Sequence, residues 1–420
     1  MFFYSDYQNV SIKCDDEYGP GSDFFGMSYF EVVEDVDSKD LRNRARTFFG
    51  ETLLCGNRVT YSFDPLVGKW SKADHVSLVK ELTEELNLKC TTRKDINSLE
   101  FKKKHEENED WIILDALSRM KHDNITRISL PVSCFTHLAN EHSMIKGNIL
   151  NGFPNLTEIY ITSFWCGSIQ YLNLDDPKDI FVRFVQQFSS NKNPTIFFES
   201  PTFFNGIFSY EIEKLINTIT KYNVQVKFNQ IIDCSRFKLD NKIYEDYMRL
   251  CSYIYPYITT ATSEILYHKQ ILQSIKILET FENLSELHFV FIFKVFRNNA
   301  IFSGNRKVGY LGLRKLNNLK NVKLEYSGYI NDHDSDILKS FYQFFEFTCL
   351  IMPRNVEILQ LIGVPDINNA TAKMITKYMP DIKLLNIECL SYKESDGLYN
   401  FGKLECLISY NYCPKKSLKL

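Results

Sequence analysis

Phe281-Glu-Asn283-Leu284-Ser-Glu-Leu287-His-Phe289 is the stretch that decides the fold. Its first, fourth, seventh and ninth residues are apolar, and those between are mostly polar. The end of the stretch alternates with period two, as a half-buried strand does. Asn283 suits a turn just ahead of that strand, because Asn bonds its own backbone and tolerates unusual dihedrals. The same phrase returns at Phe153–Ile161, Leu316–Leu324, Met379–Ile387 and Phe401–Ser409, and at Met352–Leu361 with one extra residue before the turn. A phrase recurring at intervals of a few tens of residues marks a stacked-repeat protein.

Between phrases lie stretches of helical period. Ile337, Leu338, Phe341, Phe344 and Phe345 fall three and four apart, as do Met374, Ile375, Tyr378 and Met379. Such spacing places apolar residues on one face of a helix. One strand-helix unit is too small to bury its own apolar stripe. Stacking it on the next unit lets the strands pair in parallel while helices cover the outside.

The phrase resembles the leucine-rich repeat family, in its longer, helix-containing class. Fourth positions at 284, 319, 356, 382 and 404 are 35, 37, 26 and 22 residues apart, and such irregularity is absorbed by loops on one side of the array. Ile125–Leu130 is an earlier strand of the same kind. Thr195–Phe198, Val224–Phe228 and Tyr257–Ala261 are further strands at compatible spacing that lack the full phrase. The resemblance implies an α/β solenoid, a horseshoe with a parallel concave sheet and helices on the convex side, over residues 121–413. A small, mostly helical region precedes it at 76–120. Residues 1–75 form a loosely structured leader, and 414–420 a tail.

Within 76–120, Leu78, Leu82 and Leu86 lie four apart on one helix face, and Asp95-Ile96-Asn-Ser-Leu99-Glu-Phe101 follows after a break. This arrangement loosely resembles the F-box, which docks on the Skp adaptor of cullin-based ubiquitin ligases. Val79 stands where that motif carries Pro, and Lys102–Asp110 is more charged than the motif's close. Two readings stay open. Leu82, Leu86, Ile96 and Leu99 hold an adaptor, or the helices cap the open end of the array.

Composition narrows the function classes. Hydrophobic residues make up 44% and aromatic residues 14%, with 33 Phe and 24 Tyr, ample for a folded core. The net charge is −3, with 49 basic against 52 acidic residues, so no strong field draws nucleic acid or an anionic membrane. The 11 cysteines are odd in number and contain no Cys-x-x-Cys pair, which predicts free thiols in a reducing compartment. No signal-peptide pattern opens the chain, and no apolar run is long enough to span a bilayer. The expectation is a cytoplasmic or nuclear protein.

Chemical motifs fail on spacing. Asp332-His-Asp334-Ser-Asp336 has alternating carboxylates but Ile337 and Gln343 where a calcium loop needs Gly and Glu, so it reads as a helix start. His137 and His142, five apart, point away from each other on a helix. No phosphate-binding Gly loop or nucleophile elbow is present. The sequence predicts no enzyme, no cofactor and no metal.

The function expected is therefore recognition. The resemblance implies the substrate-binding subunit of an F-box-type ligase, with the Skp adaptor and a cullin as partners. A protein-binding scaffold or enzyme inhibitor of the same fold, with no ligase link, is the alternative. The residues between buried phrase positions face the concave side. Early strands place Arg127, Ser129, Glu158, Tyr160 and Thr162 there, middle ones His288, Lys323 and Glu325. Late strands place Ile358, Gln360, Ile362, Leu384, Asn386, Ile408 and Tyr410 there, so the face turns apolar toward the C-terminus. That late patch is the expected target site, or else the tail after Pro414 folds back over it as a cap.

Overall fold

The computed structural model describes residues 52–55, 58–63, 72–92, 96–103, 111–136, 145, 147–163, 169–200, 209–233, 252–265, 268–292, 312–327, 335–365, 367–389, 400–404 and 406–409. The chain packs as two compact units. One runs to Ile159 and includes Ser190–Lys192; the other is Tyr160–Ser189 with Asn193–Leu420.

In the first unit, β1 (Thr52–Cys55) pairs antiparallel with β2 (Arg58–Phe63). β2 runs parallel to β3 (Ser98–Lys103), and β3 parallel to β4 (Arg127–Pro131); β5 (Glu158–Thr162) follows in chain order. Helix α1 (Lys72–Thr92) leads into β3, helix α2 (Trp111–Arg119) leads into β4, and the two helices pack on each other. Two expectations change here. Residues 52–55 and 58–63 lie in strands within the stretch read as a leader, and the helix expected around Ile96–Phe101 is the strand β3.

The reason for the second change is in the residues themselves. Ile96, Leu99 and Phe101 occupy the fourth, seventh and ninth positions of the repeat phrase. Leu99 pairs in register with Ile128, the seventh residue of the next copy. Alternation of period two outweighed the helical reading once a neighbouring strand was there to pair with. Leu82, Leu86, Ile96 and Leu99 are all buried, none more than 1% exposed.

In the second unit the strands β6 (Thr195–Ser200), β7 (Gln225–Asp233), β8 (Ile258–Ile265), β9 (Glu286–Ile292), β10 (Asn321–Ser327), β11 (Ile358–Val364), β12 (Leu384–Cys389) and β13 (Cys406–Ser409) follow in chain order. Each is parallel to the next. Helices α3 (Ile180–Phe188), α4 (Ser209–Lys221), α5 (His268–Leu278), α6 (Ser335–Ile351) and α7 (Asn369–Tyr378) alternate with them. The fold class is α/β, a parallel sheet with helices. Asp179 starts α3 by accepting from the backbone N–H of Phe181 at 2.8 Å, and Asn368 starts α7 by accepting from that of Thr371 at 2.9 Å.

Seventh-position residues of successive phrases are register partners: Leu287, Val322, Leu359, Leu385 and Leu407. The first four are buried, as are Leu156 and Ile159. Each such side chain contributes about 1.5–3 kcal/mol on leaving water. Strand positions of the same parity meet the helices. Tyr326 of β10 packs its ring 5.0 Å from Phe341 and 5.8 Å from Phe345 of α6, and its hydroxyl lies 3.0 Å from that of Thr348. Ser263 of β8 donates to Ser274 of α5 at 3.0 Å, so a buried polar pair is satisfied.

The phrase asparagine does something the sequence reading missed. Its amide reaches back to the preceding turn rather than to its own. Asn155 Nδ2 donates to the Asp123 carbonyl at 2.7 Å, Asn283 to Pro256 at 2.8 Å, Asn318 to Glu282 at 3.1 Å and Asn355 to Asn317 at 2.6 Å. Asn124 also reaches back to the preceding turn, but to the carbonyl of Ile96, two positions further along its phrase. In the last two phrases the position holds Asp381 and Lys403, and these form an ion pair. Backbone bonds run alongside, from Ser285 N to Thr259 O, Lys320 N to Ser285 O, Glu357 N to Lys320 O and Lys383 N to Glu357 O. Successive turns are thus tied at a fixed offset, which sets the strand register.

β6 and β7 show why the middle repeats were faint. Where full phrases carry an apolar fourth-position residue, they carry Asn193 and Asn223, both left-handed at φ 51° and 60°. The turn is kept and the apolar signature is lost.

Candidate interaction face

Along β9–β12 the residues between the buried positions lie on the sheet face opposite the helices. Register stacks them into rungs. Glu286, Asn321, Ile358 and Leu384 form one. His288, Lys323, Gln360 and Asn386 form the next, and Val290, Glu325, Ile362 and Glu388 the third. Ile358 is 38% exposed, and Gln360, Ile362, Leu384 and Asn386 are half-buried. The structure therefore brings together five of the seven late residues expected at the site. Ile408 takes the β13 position opposite Asn386, its side chain outside the described residues, and Tyr410 lies outside them altogether.

The polar part of the face is internally matched. His288 Nε2 lies 3.0 Å from Glu325 Oε2, and Lys323 Nζ lies 3.2 Å from the same oxygen. Burial works to raise the Glu325 carboxyl, but the bond from His288 and the Lys323 ammonium outweigh it and hold the carboxyl below its ordinary range. Where the strands begin, Glu357 sits between Lys320 and Lys383, with each Nζ 2.9 Å from a carboxylate oxygen. Bonds from Lys383 and Lys320 lower that carboxyl to about 2. In the first unit, Arg127 and Glu158 pair at 2.7 Å.

One feature of the face escaped the sequence reading. Tyr160 stacks on Phe197 with ring centroids 4.4 Å apart and planes 4° from parallel, and Lys227 Nζ lies 5.1 Å from the Phe197 centroid. Phe197 sits in a repeat without the full phrase. The signal that could have placed it is its position between Ile196 and Phe198, both buried.

Among the described residues, no group of three or more His, Cys, Asp or Glu could hold a metal ion. No helix among them is long and apolar enough to cross a membrane. The described part of the face holds one exposed branched aliphatic side chain, Ile358, the half-buried Ile362 and Leu384, two side-chain amides and a satisfied ionic cluster.

A family described as Domain of unknown function (DUF8346) matches residues 67–411, most of the chain. The chain belongs to the DUF8346 family. Its match begins ahead of α1 and ends just beyond β13, so the DUF8346 region takes in both the α1–β3 segment and the repeats. A search of curated proteins found no match.

Proposed function

We propose that this DUF8346 protein is a recognition solenoid of the leucine-rich-repeat type. It holds a protein target against the sheet face opposite its helices, the face that is concave in such a solenoid, and transforms nothing chemically. The observation that carries the reading is the in-register stacking of the phrase through its asparagine bonds, which builds a broad, regular face from short units. Ile358 and Leu384, register partners on that face, supply the apolar contact a partner would cover.

A role as substrate-binding subunit of an F-box-type ligase is the second reading. Its adaptor surface would use residues other than Leu82, Leu86, Ile96 and Leu99, which lie in the core. Among the described residues of α1, Val76 and Leu88, 49% and 62% exposed, are the large apolar side chains that reach solvent. Tagged full-length protein, purified from cells beside a folded I358K/L384K variant, tests both readings. A protein recovered with the wild type and lost with the variant supports target recognition. Co-purifying Skp adaptor and cullin, retained by the variant, support the ligase link. Partners wholly indifferent to the variant refute the proposed face.

A further inference from the structure

Leu150-Asn151-Gly152-Phe153 forms a turn ahead of β5, closed by a bond from the Phe153 N–H to the Leu150 carbonyl at 3.0 Å. Leu150 and Phe153 are buried, and Asn151 between them is exposed. Gly152 is there by necessity, since a Cβ would run into the Met120 carbonyl oxygen. Nothing comparable holds Asn151. Its side chain makes no bond among the described residues, whereas the amides of Asn148, Asn155 and Asn191 around it are all engaged.

Asn151 is also the only asparagine among the described residues that a glycine follows. Glycine in that place leaves its backbone nitrogen unshielded, because no side chain stands beside it. The Gly152 N–H donates to none of the described residues, so no bond at that nitrogen stands in the way of reaction. We propose that Asn151 is a site of spontaneous deamidation whose product loosens the first unit with time. The Gly152 nitrogen gives its proton to solvent base and attacks Cγ of Asn151. The new N–C bond forms, the Cγ–Nδ2 bond breaks and ammonia leaves. Water then opens the cyclic imide at one carbonyl or the other, leaving an aspartyl or an isoaspartyl residue at position 151.

The two products differ in what they do to the fold. The aspartyl form keeps the main chain as it was and puts a charge on a side chain that already faces solvent. The isoaspartyl form routes the main chain through Cβ and Cγ, so it inserts a methylene between two buried anchors, Leu150 and Phe153. Gly152 has to absorb the extra length and has no room on the Met120 side. What yields is the bond from the His122 N–H to the Gly152 carbonyl, 2.8 Å long, and the turn bond beside it. His122 in turn holds α1, with its Nε2 2.7 Å from Asn87 Oδ1. A change at an exposed turn thus reaches the contact between α1 and the repeat. Ring closure needs the turn to open, because the closed turn fixes the Gly152 peptide, so conversion is slower in the native chain than in a free peptide.

The test incubates the full chain at mildly alkaline pH beside N151Q and a free peptide of residues 147–157. Peptide mapping reads conversion at Asn151 apart from that at Asn205-Gly206, which lies outside the described residues. An isoaspartate-specific methyltransferase reads the isoaspartyl share, and urea midpoints read stability. The expected result is conversion at Asn151 in the native chain, slower than in the peptide, with a midpoint that falls as the isoaspartyl share rises. N151Q starts at the wild-type midpoint and keeps it.

Asn151 intact in the native chain after the peptide has converted overturns the proposal, because the turn is then closed to the reaction. So does a converted, isoaspartyl-containing chain whose midpoint has not moved, and so does an N151Q midpoint that falls as the wild type's does. N151D separates charge from chain length. It matches the fresh wild type if the inserted methylene is the cause, and an N151D midpoint as low as that of the aged protein overturns that cause. None of these outcomes bears on recognition by the open face, which stands or falls with I358K/L384K.

Discussion

Asn318 offers the sharpest test of how the repeats are joined. Its Nδ2 donates to the Glu282 carbonyl at 3.1 Å, one link in the series running from turn to turn. Asn318 is exposed, so water can satisfy the carbonyl once the amide is gone. N318A should therefore cost about 0.5–1.5 kcal/mol, toward the lower end. N318D keeps the shape but loses the donor and sets a carboxylate against a carbonyl oxygen, so the loss should reach roughly 1–3 kcal/mol. The two readings of this residue separate here. If Asn318 only shapes its own turn, Asp serves as well as Asn and N318D is nearly neutral.

The link also has a pH signature. Beside a carbonyl and without a donor, the introduced carboxyl has its folded-state pKa raised. Its stabilising, protonated form is fully present below the unfolded value near 4 and is lost as pH rises through the folded value. N318D should thus recover toward the wild type in acid, while N318A should not. Urea midpoints for wild type, N318A and N318D at neutral and acidic pH provide the measurement. N318D at least as stable as N318A at neutral pH would refute the inter-turn bond as the source of the residue's value.

Three other outcomes follow from particular contacts. Gly363 has φ 71° at the β11 bulge, and a Cβ there would sit 2.2 Å from the Tyr326 carbonyl oxygen, so G363A should shift the urea midpoint down by more than an ordinary surface substitution. The Glu357 carboxyl should titrate at about 2 by NMR. Its depressed value means the stability it adds is present above the ordinary carboxylate range and is lost as pH falls toward 2, and K320M/K383M should move the midpoint up toward that range. Burial pushes the Cys349 thiol up, so iodoacetamide at pH 8 should label it only after denaturation, and labelling of the native protein would show the α6 core to be open.

The late repeats were legible because phrase and structure share one cause. Leu284, Leu287 and Phe289 are apolar where the strand must be buried, and the same spacing recurs in neighbours that become register partners. β3 had the same spacing at Ile96, Leu99 and Phe101, but Arg93 stands where the phrase begins with an apolar residue. The preceding Leu78–Leu86 periodicity then drew the segment into a helical reading. β6–β8 were legible as strands but not as repeats. Their turns rely on left-handed Asn193 and Asn223, and β8 places Ala261 at the seventh position, where full phrases carry a larger side chain.

The make-up of the open face was illegible for a different reason. Glu286, Asn321, Ile358 and Leu384, which form one rung, are tens of residues apart, and no window of the chain holds them together. What gathers them is register, set by the asparagine bonds and the backbone bonds beside them. A slip of one residue in any strand would send its carboxylates toward the helices and its leucines to solvent. The side-chain amides of Asn155, Asn283, Asn318 and Asn355 therefore act on more than stability, because by fixing strand offset they decide which side chains share a rung. A register-weakening substitution such as N318D should then disturb binding on the open face beyond what its loss of stability accounts for, even though Asn318 lies at the turn and touches no partner.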